Sequence, residues 1–170
     1  MAANKYLALV LGKYKEVFGT IVSAGSTSSG NLVALDATGR ADISIMPVGI
    51  GAEVVTALTS EALSAGAFVN LYSNAGVLNS RNADCTTNGK KAHGFVLAAV
   101  TSGGTATIYT VSQANTQLTG LVAGSDYFLS TIGSVSLTAP STSGNLSQQL
   151  GVAGSTTSLV FCNLITTEIA

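Results

Sequence analysis

Between residues 92 and 162 the apolar positions fall into short runs rich in β-branched and aromatic side chains, each closed by glycine and small polar residues. That pattern predicts consecutive β-hairpins. The first pairs residues 94–100 with 105–111 around Gly103 and Gly104. The second pairs 126–130 with 135–138 around Gly133, and the third pairs 148–153 with 158–162 around Gly154. Residues 95–100 are apolar on both faces, whereas 105–111 alternate. A strand covered on both sides belongs at the centre of a sheet or at a subunit interface. Short strands at this spacing imply an all-β chain, an antiparallel β-sandwich or barrel.

Upstream the same grammar continues more loosely. Residues 53–58 read as a strand, 60–66 as a turn, and 67–72 with 77–78 as a hairpin. Asn88-Gly89 is the strongest local turn signal, the pair preferred where a type I′ turn needs positive φ at both central positions. Three segments, 30–39, 66–76 and 124–133, repeat one design of glycine, apolar strand, small-residue turn and glycine. Their separation is irregular, which excludes a solenoid.

Residues 1–50 differ in character. Two apolar patches, 6–11 and 17–22, are carried on a segment that also holds Lys5, Lys13, Lys15 and Glu16. The first patch fits helix and strand periods alike, while the β-branched second favours an extended form. So small an apolar segment cannot bury itself and needs a neighbour's surface. Pro47, Gly49 and Gly51 suit an extended connector, so the expected organisation is an extended N-terminal arm with its connector over 1–50 and a β-body over 51–170.

Composition sharpens this. Of 170 residues only 9% are charged, against roughly a quarter in ordinary soluble chains. Mean hydropathy is +0.47 and the formal net charge −1. A solitary molecule with this surface would be poorly solvated, so much of it is expected to be covered by other copies or a partner. A membrane is the rival explanation, but the longest apolar runs, 6–11 and 95–100, fall far short of the ~20 residues of a spanning helix. Residues 1–22 also lack the layout of a signal peptide. Synthesis in a reducing cytoplasm is therefore expected, with Cys85 and Cys162 as buried thiols. Their spacing makes no zinc site.

The chemical readings are thin. The single histidine, His93, has no nucleophile motif to serve, so a structural or interface role is expected. Asp36, Gly39 and Asp42 around Arg40 lack the alternating acids and closing glutamate of a calcium loop, and read as a solvated turn. Gly49 and Gly51 begin a dinucleotide-type glycine pattern that Val54 breaks. Glu53 and Glu61 are the one conceivable carboxylate pair, more simply two scattered surface acids. Seven basic residues against eight acidic ones leave no stripe for phosphates, and Lys90-Lys91 is an ordinary solubilising pair. Tyr109, Tyr127 and Phe128 lie in strand patterns and are expected to pack in a core or interface. No enzyme, cofactor, metal, nucleic acid or membrane is implied.

Two groups of residues carry a resemblance. The segments 20–25, 30–40 and 46–51 resemble the arm of small virion proteins of tailed bacteriophages. The segments 92–96, 120–130 and 149–153 are similar to the β-domains of phage capsid decoration (cement) and head-fibre proteins. The resemblance implies a virion structural protein, made in the host cytoplasm, that sits as a homotrimer on the outer capsid and staples major capsid protein subunits together. In that reading the arm residues Tyr6, Leu9, Tyr14, Val17 and Phe18 reach a neighbouring subunit or the coat. Related modules occur in tails, so a tail-fibre, baseplate or receptor-binding module is the alternative.

Overall fold

The computed structural model describes residues 5–46, 53–162, 164 and 166–170. Pro47, Gly49 and Gly51, on which the expected connector rests, lie outside them. The chain divides into two compact units, Met1–Gly51 and Ala52–Ala170. Among the described residues it is all-β, with two short 3-10 turns as the sole helical elements.

In the first unit, β1 (Lys5–Val10) and β2 (Lys13–Phe18) form an antiparallel two-stranded sheet. The extended segment is thus doubled back on itself. Its loop is Leu11-Gly12, with φ of 53° and 74°, the positive pair that a two-residue type I′ hairpin demands. Beyond it Thr20 bridges Val33 in parallel. The 3-10 turns Gly25–Ser28 and Ile43–Ile45 complete the unit.

The second unit opens with β3 (Val54–Thr59), β4 (Phe68–Asn74), β5 (Val77–Asn82), β6 (Gly94–Phe95) and β7 (Thr105–Tyr109). They close into a barrel in the order β3-β5-β4-β6-β7, with β3 parallel to β5 and every other pairing antiparallel. Next come β8 (Ala114–Asn115), β9 (Asp126–Leu129), β10 (Val135–Ser136), β11 (Leu146–Ala153), β12 (Leu159–Phe161) and β13 (Thr166–Glu168). Their sheet runs β10-β9-β11-β12-β8, and β13 pairs with β11.

The second and third expected hairpins form, as β9–β10 and β11–β12. The first does not. Only Phe95 pairs with Tyr109, and β7 instead runs along β3 over five residue pairs. Residues 96–100 leave the ladder because they lie between two cores. Val96 and Val100 pack into the barrel with Ala57, Val69, Ala106 and Ile108, while Leu97 packs against the barrel–sheet core of Phe68, Phe95, Leu129, Leu150 and Phe161. Val96, Leu97 and Val100 are covered by two hydrophobic clusters rather than by neighbouring strands, while Ala98 and Ala99 between them are exposed.

Asn88-Gly89 also differs from expectation. Gly89 has φ 81°, but Asn88 does not share the positive region. The Lys90 amide donates to the Thr87 carbonyl at 3.1 Å, closing a turn with only its second central residue left-handed. It sits in the loop that Asp84 and Lys90 close, not between paired strands. Cys85 is buried as expected, whereas Cys162 is exposed. Along β12 the side chains alternate, Leu159 and Phe161 inward and Val160 outward, so the next residue faces solvent.

Gly94 and Gly151 are among the glycines demanded by close approach. A side chain at Gly94 would meet the Tyr109 carbonyl at 2.5 Å and Ile108 Cγ2 at 2.6 Å. At Gly151, φ 149°, it would run into the Val160 carbonyl, just where β11 carries one extra residue opposite β9. Gly151→Ala should therefore cost about 3 kcal/mol. Gly103→Ala, strained at φ 79° but facing open space, should cost about 1 kcal/mol. Urea unfolding of the two variants measures the difference, and equal midpoints would remove close packing as the reason for Gly151.

Candidate interaction surface

The β1–β2 register sets Lys5, Leu7 and Leu9 beside Phe18, Glu16 and Tyr14 on one face, and Tyr6, Ala8 and Val10 beside Val17, Lys15 and Lys13 on the other. On the first face Leu7 is 71% exposed, Leu9 65%, Tyr14 79% and Phe18 65%. Lys5 Nζ sits 2.8 Å from Glu16 Oε2 and 5.1 Å from the centre of the Phe18 ring. This solvated pair contributes little stability. Of the residues expected to meet a partner, Leu9, Tyr14 and Phe18 share the exposed face. Tyr6 and Val17 oppose each other on the reverse face and are half-buried. Leu7 belongs with the first group and was not singled out, although strict alternation from Leu9 places it there.

No described residue of the first unit is buried. Twelve of the 22 large apolar side chains exposed among the described residues fall in it, including Ile21, Val22, Leu32, Val33 and Ile43. An isolated two-stranded hairpin is marginal in water even with good cross-strand pairs. Each strand also keeps one edge without a strand partner among the described residues, an open template for further pairing. The surface can do one thing well, which is to be covered.

The titratable groups elsewhere are occupied structurally. The imidazole of His93 accepts at Nδ1 from the Leu71 amide at 3.0 Å. Burial, reinforced by Lys91, lowers its pKa below 6.5, so the ring is neutral with its proton on Nε2. Glu53 and Glu61 lie beyond opposite ends of the six-residue β3, roughly 20 Å apart at ~3.3 Å per residue, too far to act as a pair. Asp36 Oδ1 accepts from the Thr38 amide and hydroxyl and the Arg40 amide, and Asp42 caps the Ser44 amide. The Arg40 amide, then Thr38, hold the Asp36 carboxyl below the usual value, and the Ser44 hydroxyl, then its amide, do the same for Asp42. Among the described residues no three His, Cys, Asp or Glu side chains are placed to hold a metal. Burial, aided by Asp84, pushes the Cys85 thiol up, away from the reactive thiolate.

Two features escaped the sequence reading. The first is a set of buried carboxamides. Gln148 Oε1 accepts from the Ala92 amide at 2.7 Å while Nε2 donates to the Ala92 carbonyl at 2.9 Å, reproducing a strand pairing with a side chain. Asn115 donates to the Gly66 carbonyl and Asn82 to the Ala62 carbonyl. The alternation Leu146, Gln148, Leu150 was the available signal for an inward-facing glutamine. The second is Arg81, whose guanidinium lies 4.4 Å from the centre of the Tyr72 ring.

No protein-family model and no curated protein matches the chain. Among solved structures it is similar to the N base of the head fibre protein gp8.5 of bacteriophage phi29, at 12% identity and a TM-score of 0.43, over 71% of this chain and 99% of that one.

The state of His93 has a pH consequence. A histidine whose folded pKa is depressed binds its proton more readily when unfolded, so its contribution is complete above the unfolded value of 6.5 and declines as pH falls through it. Unfolding free energy should drop between about pH 7 and pH 5, and His93→Asn, which keeps an acceptor near the Leu71 amide, should flatten that slope. Denaturant titration at several pH values measures it; the same slope in both proteins would acquit His93.

Proposed function

We propose that this chain is a bacteriophage capsid decoration (cement) protein. It acts without catalysis or cofactor, as a homotrimer bound to the outer face of the shell, where it stabilises contacts between major capsid protein subunits. The observation that supports this best is the first unit. A segment with no buried side chain among its described residues and a face of Leu7, Leu9, Tyr14 and Phe18 finishes its core on another protein. The β-body offers little charge for solvation, as expected of a surface shared with companions. The resemblance of segments 20–51 and 92–153 to phage virion proteins supplies the setting.

Repetition supplies affinity. Three linked arms engaging neighbouring lattice sites turn modest contacts into tight occupancy, because the second and third bind at high effective concentration. No large interface per copy is needed.

Purified phage heads lacking the protein provide the test. Wild-type chain should saturate them at hundreds of copies. The double variant Leu9→Asp, Phe18→Asp should lose at least about tenfold in affinity while its far-ultraviolet circular dichroism and unfolding midpoint stay unchanged. Undiminished occupancy by the variant defeats the arm's role. Binding restricted to tails, at tens of copies or fewer, would favour the tail-module alternative.

A further inference from the structure

One face of the β4–β5 hairpin carries Asn70, Tyr72 and Asn74 opposite Arg81, Asn79 and Val77, with Asn70 and Asn79 buried, Tyr72 and Arg81 half-buried, and Asn74 and Val77 exposed. At its centre Arg81 is held from two sides. Its guanidinium stacks on Tyr72, 4.4 Å from the ring centre, and its Nε donates to Asn70 Oδ1 at 2.9 Å. Asn70 is itself fixed, donating from Nδ2 to the carbonyls of Lys91 at 2.7 Å and Gly89 at 3.2 Å. The loop that locks the arginine therefore also brings Lys90 and Lys91. Among the described residues the one ion pair is Lys5–Glu16, so Arg81 has no carboxylate of its own. An arginine ordered in advance loses little freedom when it takes a planar, bidentate acid.

The acids narrow the choice of occupant. Of the eight in the chain, seven accept a hydrogen bond within their own unit: Glu16, Asp36, Asp42, Glu53, Glu61, Asp84 and Glu168. Asp126, exposed on β9, accepts none among the described residues. It ends a row that crosses four adjacent strands, Ala114 beside Val160, Val160 beside Val152 and Val152 beside Asp126. All four are exposed. At ~4.8 Å per strand the row spans about 14 Å, an apolar strip closed by one carboxylate.

We propose that Asp126 of one copy pairs with Arg81 of the next, the strip of Ala114, Val160 and Val152 packing beside the Tyr72–Arg81 stack. The two patches are different surfaces of the same unit, so the contact is heterologous and propagates head to tail until it closes a ring. It rests on the self-association put forward under Proposed function and identifies the contact that carries it. The strip excludes water from the ion pair, which raises the pair's worth above that of a solvated one.

The test is a charge exchange read by sedimentation equilibrium of the full chain. Wild type should associate, more weakly as salt rises. Arg81→Asp and Asp126→Arg should each weaken association by about tenfold or more, and the two combined in one chain should restore it. Because Arg81→Asp also removes a contact within its own fold, Asp126→Arg and Asp126→Asn carry the decision should that variant unfold. Asp126 has no such contact among the described residues, and thermal unfolding of its variants should match wild type. A monomeric wild type overturns the self-association reading and this pair with it. Association untouched by the Asp126 variants, or single losses that the double variant fails to repair, overturns the pair alone.

Discussion

Three phenylalanine rings hold the second unit together. Phe68 of β4 and Phe95 of β6 come from the barrel, and Phe161 of β12 from the sheet. Their centres are 5.9 Å apart for Phe68–Phe95, 5.5 Å for Phe68–Phe161 and 6.3 Å for Phe95–Phe161, and the two pairs that cross from barrel to sheet are edge-to-face. All three are fully buried. Each such side chain contributes about 2–3 kcal/mol by leaving water, and each ring pair about 1 kcal/mol more. Without them the barrel and the sheet would be two small layers, each too thin to hold a core. The constraint extends to the backbone. The Phe68 amide donates to the Gly133 carbonyl at 2.9 Å, and the Phe161 carbonyl accepts from the Ser112 amide at 2.7 Å. The residues that carry the rings also tie the two layers together.

A chain this poor in charge must satisfy its interior polar groups by other means, and the carboxamides do so. A buried amide or carbonyl without a partner costs about 1–3 kcal/mol. Asn70, Asn82, Asn115 and Gln148 are each at most 8% exposed and bond backbone groups that no strand reaches. No described buried side-chain polar atom is left unpaired. This device suits short strands. Where a strand is only two residues long, as β6 is, a glutamine from β11 takes over the pairing of Ala92 just before it. Charged side chains could not serve there, since burying them costs several kcal/mol unless a counter-charge is buried too.

The sequence made the all-β class and the two later hairpins legible because their registers follow from alternation and glycine turns over a few residues. What it concealed depends on long-range geometry. Residues 95–100 read as a strand because every position is apolar, yet after Phe95 two hydrophobic clusters cover Val96, Leu97 and Val100 while Ala98 and Ala99 stay exposed. Asn88-Gly89 carried the strongest turn signal, but the paired positive φ values fall at Leu11-Gly12, Ala75-Gly76 and Ile132-Gly133, where Leu11, Ala75 and Ile132 adopt an unfavourable φ that no propensity would choose. Of the interaction surface, alternation along β1 could locate Leu7 and Leu9. The separation of Tyr6 and Val17 from Tyr14 and Phe18 required the pairing register, which shifts by one face for each residue of loop length. Arg81 was invisible for the same reason, since its stack on Tyr72 is a cross-strand relation.

The contrast between the two units is the physical basis for reading this chain as an assembly component. In the second unit, alternation along β11 and β12 is resolved by burial, with Leu146, Leu150, Leu159 and Phe161 covered and Val152 and Val160 left outside. In the first unit the same kind of alternation along β1 is present but has nothing to resolve against, because both faces stay open to some degree. A sequence spends β-branched and aromatic residues on a face only where that face is covered in the working state, since exposed they add aggregation risk without adding stability. On the proposed function, the first unit is one part of a core whose other part belongs to a different chain. Under that proposal, folding of the unit and assembly form a single thermodynamic event, in which burial at the contact offsets the ordering cost of the hairpin.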